Sequence, residues 1–171
     1  MTRFEQELRD AQPALLVFVR VLCGAPQEAE DIVGDVNLAL IRHQTDYDTS
    51  RPFLPWARAY AYNAVRAWRR RNAASRLVLD DGLVERLGER LASGGDGRGG
   101  ETRLERLLEE AKKELTPEMQ YLLTRHYVYG DKLAAIGRQL NRTPRSLAVS
   151  LHYIRGVLRK SLLAKMKEGR V

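Results

Sequence analysis

The sequence has little cysteine and no long hydrophobic run, and both absences exclude classes of protein. Cys23 is its single cysteine, so we expect no internal disulfide and a reducing compartment, with Cys23 a buried structural thiol. The longest apolar run, Ala14 to Val19, is far too short to span a bilayer. The first residues lack a basic segment followed by an apolar one, so we expect no secretory signal. We therefore predict a cytoplasmic protein without membrane insertion.

Residue patterns typical of metal sites and of enzymes are also missing from the sequence. His43, His126 and His152 are scattered, with no ligand spacing to one another or to the cysteine. No paired carboxylates, nucleophile with a base, or phosphate-binding loop can be recognised. We therefore predict no metal ion, no cofactor and no enzymatic activity.

Acidic residues are absent from residues 51–79, and charge is unevenly distributed along the chain. The basic and acidic residues number 4 and 9 in residues 1–50, 7 and 0 in 51–79, 7 and 10 in 80–114, and 11 and 3 in 115–171. The net charge of +7 therefore conceals two cationic segments, each preceded by an acidic one. Two separate cationic surfaces suit a long polyanion such as DNA. A basic protein with solvated charged faces is the alternative.

Apolar residues recur at steps of three or four along most of the chain, which predicts an all-α protein. Five glycines fall among residues 94–100, a density that no stable helix tolerates. We therefore expect two small helical domains, residues 1–75 and 102–171, joined by a flexible Gly-rich linker over residues 76–101.

The first domain is predicted to hold three helices. The first is expected to be kinked or divided at Pro13, since proline lacks the amide proton that a helix interior needs. A second helix is expected over roughly 26–43 and a third over about 52–71.

The second domain is predicted to end in a helix-turn-helix. A helix near 102–115 is followed by one that Thr116 caps and Gly130 ends. Asp131 is expected to cap a short helix, and residues 141–143 form a turn before a longer final helix. The core stripe expected for that last helix is Leu147, Leu151, Ile154, Leu158 and Leu162.

The final helix is the candidate DNA reader. Gly137 would allow the two helices of the motif to cross closely. Helical geometry then points outward Arg145, Val149, His152 and Tyr153, with Lys160 further along the exposed side. Cations near the start of such a helix suit entry into the major groove. An ordinary helical hairpin with a solvated face is the alternative.

Aromatic residues and arginines alternate through residues 51–71. Trp56 and Asn63 lie seven residues apart, which is two turns along one helix face. Aromatic rings stack on unpaired bases, arginine holds the backbone, and asparagine can read the edge of an extruded base. The alternative is that these aromatic residues belong to the core, which we favour for Phe53 and Tyr60.

The second helix carries an acidic stripe of Glu28, Asp31 and Asp35, with Glu30 beside it. Carboxylates repel DNA, so this face is expected to point elsewhere. It is either a protein docking surface or a solvated face, and the charge spacing alone favours the solvated face.

Taken together, these motifs resemble the extracytoplasmic-function (ECF) sigma factors of bacterial RNA polymerase. The resemblance rests on residues 29–36, 51–56, Asn63, 69–71, 115–117 and the helix-turn-helix of 130–158. Residues 36–38 and Ile154-Arg155 are similar to the subgroup found in planctomycetes and verrucomicrobia. The segments follow one another in the order and spacing of that family.

The resemblance implies a non-enzymatic promoter-specificity subunit that binds core RNA polymerase and promoter DNA. Docking on the clamp helices is implied for Glu30, Asp31 and Asp35. Capture of the melted −10 element is implied for Trp56, Asn63, Arg66, Arg69 and Arg70. Duplex recognition of the −35 element is implied for Arg142, Arg145, Ser146, Ala148, Val149 and Tyr153. The family also implies a contact with the polymerase flap and an anti-sigma factor as a partner.

The sequence departs from the family pattern at four positions. Gly34 stands where glutamine is usual, and Tyr62 stands where arginine commonly precedes the asparagine. Ala148 and Val149 are small and apolar, so base contacts are expected to be fewer or to favour thymine methyl groups.

Two other functions stay open at this point. A free-standing helix-turn-helix regulator would bind duplex DNA without core polymerase. A helical adaptor that binds only proteins would show no salt-dependent affinity for DNA.

Overall fold

The computed structural model describes residues 1–23, 26–72 and 103–168, and every regular element in these residues is helical. The predicted all-α class is therefore confirmed for the described residues. The chain divides into two compact units, Met1–Gly99 and Gly100–Val171. The predicted linker over 76–101 lies outside the described residues, and the predicted domain boundaries stay predictions.

Three α-helices that pack against one another form the described part of the first unit. They are α1 (Arg3–Cys23), α2 (Ala29–Arg42) and α3 (Phe53–Arg71), with 3-10 turns at Pro26–Glu28 and Gln44–Asp46. Of the kink or division expected at Pro13, the division is wrong, because α1 runs through this residue, and the kink stays a prediction. Pro13 is exposed, so its ring takes no room from the core formed by the neighbouring residues Ala11 and Leu15.

The core of the first unit is built from the apolar stripes of all three helices. Its most completely buried large side chains are Leu15, Val19, Val36, Leu40 and Val65. The predicted burial of Cys23 is confirmed, at 3% exposure. Its thiol lies 3.8 Å from the Arg20 carbonyl oxygen, the position of a weak hydrogen-bond donor.

The second unit contains four α-helices in its described part. They are α4 (Arg103–Lys112), α5 (Pro117–Leu123), α6 (Leu133–Leu140) and α7 (Pro144–Glu168). The predicted cap of α5 is confirmed, since the Thr116 hydroxyl accepts a hydrogen bond from the Met119 amide at 3.3 Å. The chain continues through a π-helical turn, Thr124–Val128, and Gly130 follows it with a positive φ of 73°.

The expected cap of α6 by Asp131 is wrong. Lys132 occupies the N-cap position, and no side chain caps this helix. The Asp131 carboxylate instead contacts the Arg125 guanidinium, because the π-helical turn brings that arginine back towards it. The charged partner therefore removes the carboxylate from the helix terminus.

The core stripe predicted for α7 is confirmed. Leu147, Leu151, Ile154 and Leu162 are each at most 3% exposed, and Leu158 packs against the same core while partly exposed. Within the residues that the structure describes, no helix is both long and apolar enough to cross a membrane.

Candidate nucleic-acid interface

The third helix divides into a buried side and a cationic side. Pro52 precedes it and Pro55 falls in its first turn, where a helix amide has no partner in any case. Its buried side includes Phe53, Ala57, Ala61 and Val65. Its exposed side carries Asn63, Arg66 and Arg70, and Arg69 is half-buried. Because no acidic residue occurs in this helix, its exposed side carries positive charges and no negative one.

Trp56 belongs to an aromatic cluster at the start of this helix. Its ring lies 5.0 Å from Tyr47, 5.1 Å from Tyr60 and 5.5 Å from Phe53, measured between centroids. Phe53 is 7% exposed, which confirms its prediction as a core residue. Tyr60 and Trp56 are half-buried and pack against the same core. These two rings therefore have a packing role and still present part of their surface to solvent.

Tyr47 is a residue of this cluster that sequence reasoning missed. It is 8% exposed, and its hydroxyl donates to the Arg51 carbonyl oxygen at 2.7 Å. Burial raises the pKa of Tyr47 to about 12, and the nearby Glu7 carboxylate adds to this rise. The only indication in the sequence was one aromatic ring within an otherwise polar turn.

The acidic stripe lies partly along a groove between α2 and α3. Its volume is about 370 Å³, and it is lined by Glu28, Asp31, Asp35, Arg71 and Trp68, with Ile32, Ala64 and Ala67. The structure thus brings Asp31 and Asp35 together on one exposed surface. Glu30 is not part of this lining, and its carboxylate lies 3.7 Å from the guanidinium of the buried Arg20.

The helix-turn-helix depends on a close approach at Gly137. A Cβ atom there would lie 2.3 Å from the Arg142 carbonyl oxygen, so only glycine fits without a shift of the turn. Asn141 makes this turn with a positive φ of 52°. The Thr143 hydroxyl then accepts from the Ser146 amide at 3.1 Å and caps α7. The predicted close crossing at Gly137 and the predicted turn at residues 141–143 are both confirmed.

The outward face of α7 is the one that its sequence pattern predicts. Arg145, Ala148, His152 and Tyr153 are exposed, and Val149 is exposed by 65%. Tyr153 is 59% exposed, which is far above the exposure of a packed aromatic ring. The directions of these side chains are therefore confirmed, whereas their contacts with DNA stay predictions.

Arg142 and Ser146 are bound into an internal network rather than placed on that face. The Arg142 guanidinium donates to the Glu118 carboxylate at 2.7 Å, the Ser146 hydroxyl at 2.9 Å and the Ser150 hydroxyl at 2.8 Å. It thereby ties the first turn of α5 to the first two turns of α7. This network could not be predicted from the sequence, because the Glu118 carboxylate lies 24 residues before Arg142.

In the part of the chain that the structure describes, no three His, Cys, Asp or Glu residues are grouped to hold a metal ion. Cationic and amide groups lie on α3, and cationic and apolar groups lie on α7.

Comparison with known proteins identifies the class of the first unit. Residues 8–75, which cover most of α1 and all of α2 and α3, match the family model described as Sigma-70 region 2. The matched part of the first unit is therefore similar to sigma-70 region 2.

A curated relative is the ECF RNA polymerase sigma factor SigF of Caulobacter vibrioides (strain NA1000 / CB15N). The two proteins are 37% identical over 65 residues, which are 37% of this chain and 36% of the relative. The matched part thus spans little more than a third of the curated relative's length. This chain is a distant homologue of an ECF sigma factor over that part.

Proposed function

We propose that this protein is a promoter-specificity subunit of the ECF sigma type. It binds core RNA polymerase, recognises −35 and −10 promoter elements and helps to open DNA, while catalysis belongs to the polymerase. The observation that carries the proposal is the match to Sigma-70 region 2 over the unit whose acid-free α3 exposes Asn63 among arginines. Membership of the planctomycete or verrucomicrobial subgroup stays a prediction from the sequence.

Docking on the polymerase clamp helices is assigned to the exposed side of α2. Asp31 and Asp35 supply carboxylates there, and Leu38 and Ile41 expose 54% and 46% of their surface on the same helix. A face that combines charges with exposed apolar side chains is typical of protein interfaces. Glu30 belongs to this docking set by resemblance, and its contact with Arg20 makes it the weakest of the three candidates.

Capture of the −10 element is assigned to α3. Arg66, Arg69 and Arg70 would neutralise phosphates of the melted strand. Asn63 would read the edge of an extruded base, and the exposed part of Trp56 would offer a surface for stacking. Unstacking a base costs on the order of a few kcal/mol, and these contacts would offset that cost.

Recognition of the −35 duplex is assigned to α7. Arg145 lies in its first turn, where a helix that enters the major groove meets base edges and phosphates. Val149 and Tyr153 follow on the same exposed face. A contact of the second unit with the polymerase flap, and inhibition by an anti-sigma factor, complete the proposal by resemblance.

Reconstitution with bacterial core polymerase tests the proposal. We expect Asn63→Ala to preserve polymerase binding and closed-complex formation but to impair opening of duplex promoters selected from a library. A template already mismatched across the −10 segment should recover part of the lost transcription. Permanganate reactivity of unpaired thymines measures opening, and equal reactivity for parent and variant would contradict the capture role.

The same experiment separates the proposal from a free-standing regulator. Such a regulator would bind promoter duplex through α7 alone and would form no complex with core polymerase. Specific duplex binding without any polymerase binding would therefore favour the regulator.

A further inference from the structure

A row of aromatic rings leads from the core of the first unit to its surface. Tyr47 is buried, Trp56 and Tyr60 are half-buried, and 54% of the His43 side chain is exposed. Successive centroids along the row are 5.0, 5.1 and 5.8 Å apart. These spacings are those of interacting aromatic pairs, so the row is continuous up to the exposed histidine.

His43 is held in place at the outer end of this row. It follows α2 directly, and its backbone amide donates to the Ala39 carbonyl oxygen at 3.0 Å. Its ring nitrogen Nδ1 lies 3.1 Å from the Asp46 carboxylate. The ring meets Tyr60 at an interplanar angle of 40°. Two fixed rings with solvent-exposed surface therefore form a ledge, which we define as His43 and Tyr60.

The ledge lies beside the amide that is proposed to read an extruded base. Trp56, Tyr60 and Asn63 stand at positions i, i+4 and i+7 of α3 and share one face of that helix. A base adjacent to the one read by Asn63 would thus meet the ledge.

The charges around the ledge are compatible with a nucleic acid backbone. Asp46 is engaged by His43, and the Asp48 carboxylate lies 3.3 Å from the Arg51 guanidinium. Hydrogen bonds from Ser50 lower the pKa of Asp48, so this carboxylate stays ionised and its charge is compensated by the Arg51 guanidinium. Asp46 and Asp48 therefore each have a partner within this turn.

We propose that His43 and Tyr60 stack a nucleobase of single-stranded DNA next to Asn63. The inference rests on the proposed capture of the −10 strand and adds two binding residues to it. Stacking on aromatic rings is tolerant of sequence because every base has a flat face. The ledge therefore binds the face of any base, whereas Asn63 determines which neighbouring base is accepted.

Paired substitutions at His43 separate stacking from hydrogen bonding. H43Q keeps a polar group for Asp46 and removes the ring, whereas H43F keeps a ring and removes the bond. The full chain, assembled with bacterial core polymerase, is titrated with a mixed-sequence single strand carrying 2-aminopurine at its centre. Core polymerase alone provides the background. We expect H43Q to weaken binding about fivefold or more and H43F to bind within about twofold of the parent.

A matched pair of substitutions at Tyr60 tests the ledge independently, in case a variant at His43 does not fold. Y60F should bind like the parent and Y60L should weaken binding, with thermal unfolding measured for all four variants. Parent-like binding by both H43Q and Y60L, or equal losses for H43Q and H43F, would overturn the ledge. Such a result, combined with weaker binding by N63A, would leave the proposed function intact.

The chain without polymerase is titrated in parallel. Ring-dependent binding by the chain alone, with no assembly on core polymerase, would support the ledge and contradict the proposed sigma role. Absence of single-strand binding above background in both titrations would overturn the ledge and the proposed −10 capture together.

Discussion

Replacing Gly137 by alanine should destabilise the second unit, although alanine is the better helix former. Alanine would gain up to about 1 kcal/mol from helix propensity. Its Cβ would lie only 2.3 Å from the Arg142 carbonyl oxygen, so the turn must move by at least 0.7 Å to reach even 3.0 Å. This neighbour is backbone and cannot rotate away as a side chain would.

The required movement also disturbs contacts that depend on the turn. The Arg142 amide donates to the Gly137 carbonyl oxygen at 2.9 Å, and the Arg142 side chain reaches Glu118 and Ser150. Overpacking of this kind costs about 1–3 kcal/mol, and the broken contacts add to it. We therefore expect a net loss of about 2 kcal/mol in the free energy of unfolding.

Gly156→Ala is the matched control in α7. Apart from its chain neighbours and the helix's own backbone, no atom lies within 4 Å of the Cβ added there, so only the propensity gain remains. This variant should be more stable than the parent by about 0.5–1 kcal/mol. Amide hydrogen exchange at buried Ile136 and Leu151 measures both changes within the full chain. A Gly137→Ala variant as stable as Gly156→Ala would refute the close approach at the turn.

Three further predictions concern the surfaces of the two units. Asp35→Lys should weaken binding to core polymerase and leave helical content unchanged, and an unchanged affinity in a pull-down titration would indicate a solvated face. Arg145→Ala should reduce binding to selected promoter duplex more than to random duplex, whereas Lys160→Ala should weaken both and lower the salt slope by about 1. Hydrogen bonding from the Ser161 hydroxyl lowers the pKa of Glu114 in the folded protein below its unfolded value of 4.5. The ionised Glu114 carboxylate therefore stabilises the fold above pH 4.5, and this stabilisation is lost as the pH falls through the folded-state pKa. The stability gap between the parent and Glu114→Gln in urea should therefore narrow as pH falls below 4.5.

The sequence predicted what local physics controls. The Thr116 cap, the turn at residues 141–143 and the outward face of α7 each follow from residues within a few positions of one another. The expected cap by Asp131 failed because Arg125 competes for the same carboxylate across the π-helical turn. An isolated aspartate before a helix gives no indication of that competition.

The aromatic row shows a second limit of sequence reasoning. Trp56 and Tyr60 could be placed on α3 from their spacing, but the rings that complete the row come from other segments. Tyr47 and His43 belong to the connection after α2, and only tertiary packing brings their rings to α3. Sequence spacing cannot reveal an aromatic surface assembled from two segments, which is why the ledge was not predicted.

The packing around Arg142 gives this residue a role different from the DNA contact that the sequence predicts. Its guanidinium lies 2.7 Å from the Glu118 carboxylate and is 33% exposed, so an internal anion already compensates its charge. Release of Arg142 to a phosphate would leave Glu118 unpaired near a polyanion, which opposes the exchange. Its hydrogen bonds with Ser146 and Ser150 instead fix the start of α7 against α5. Arg142 therefore affects DNA binding mainly by positioning Arg145 in the first turn of α7, and less by binding a phosphate itself. We expect the salt slope of duplex binding to depend on Lys160 rather than on Arg142.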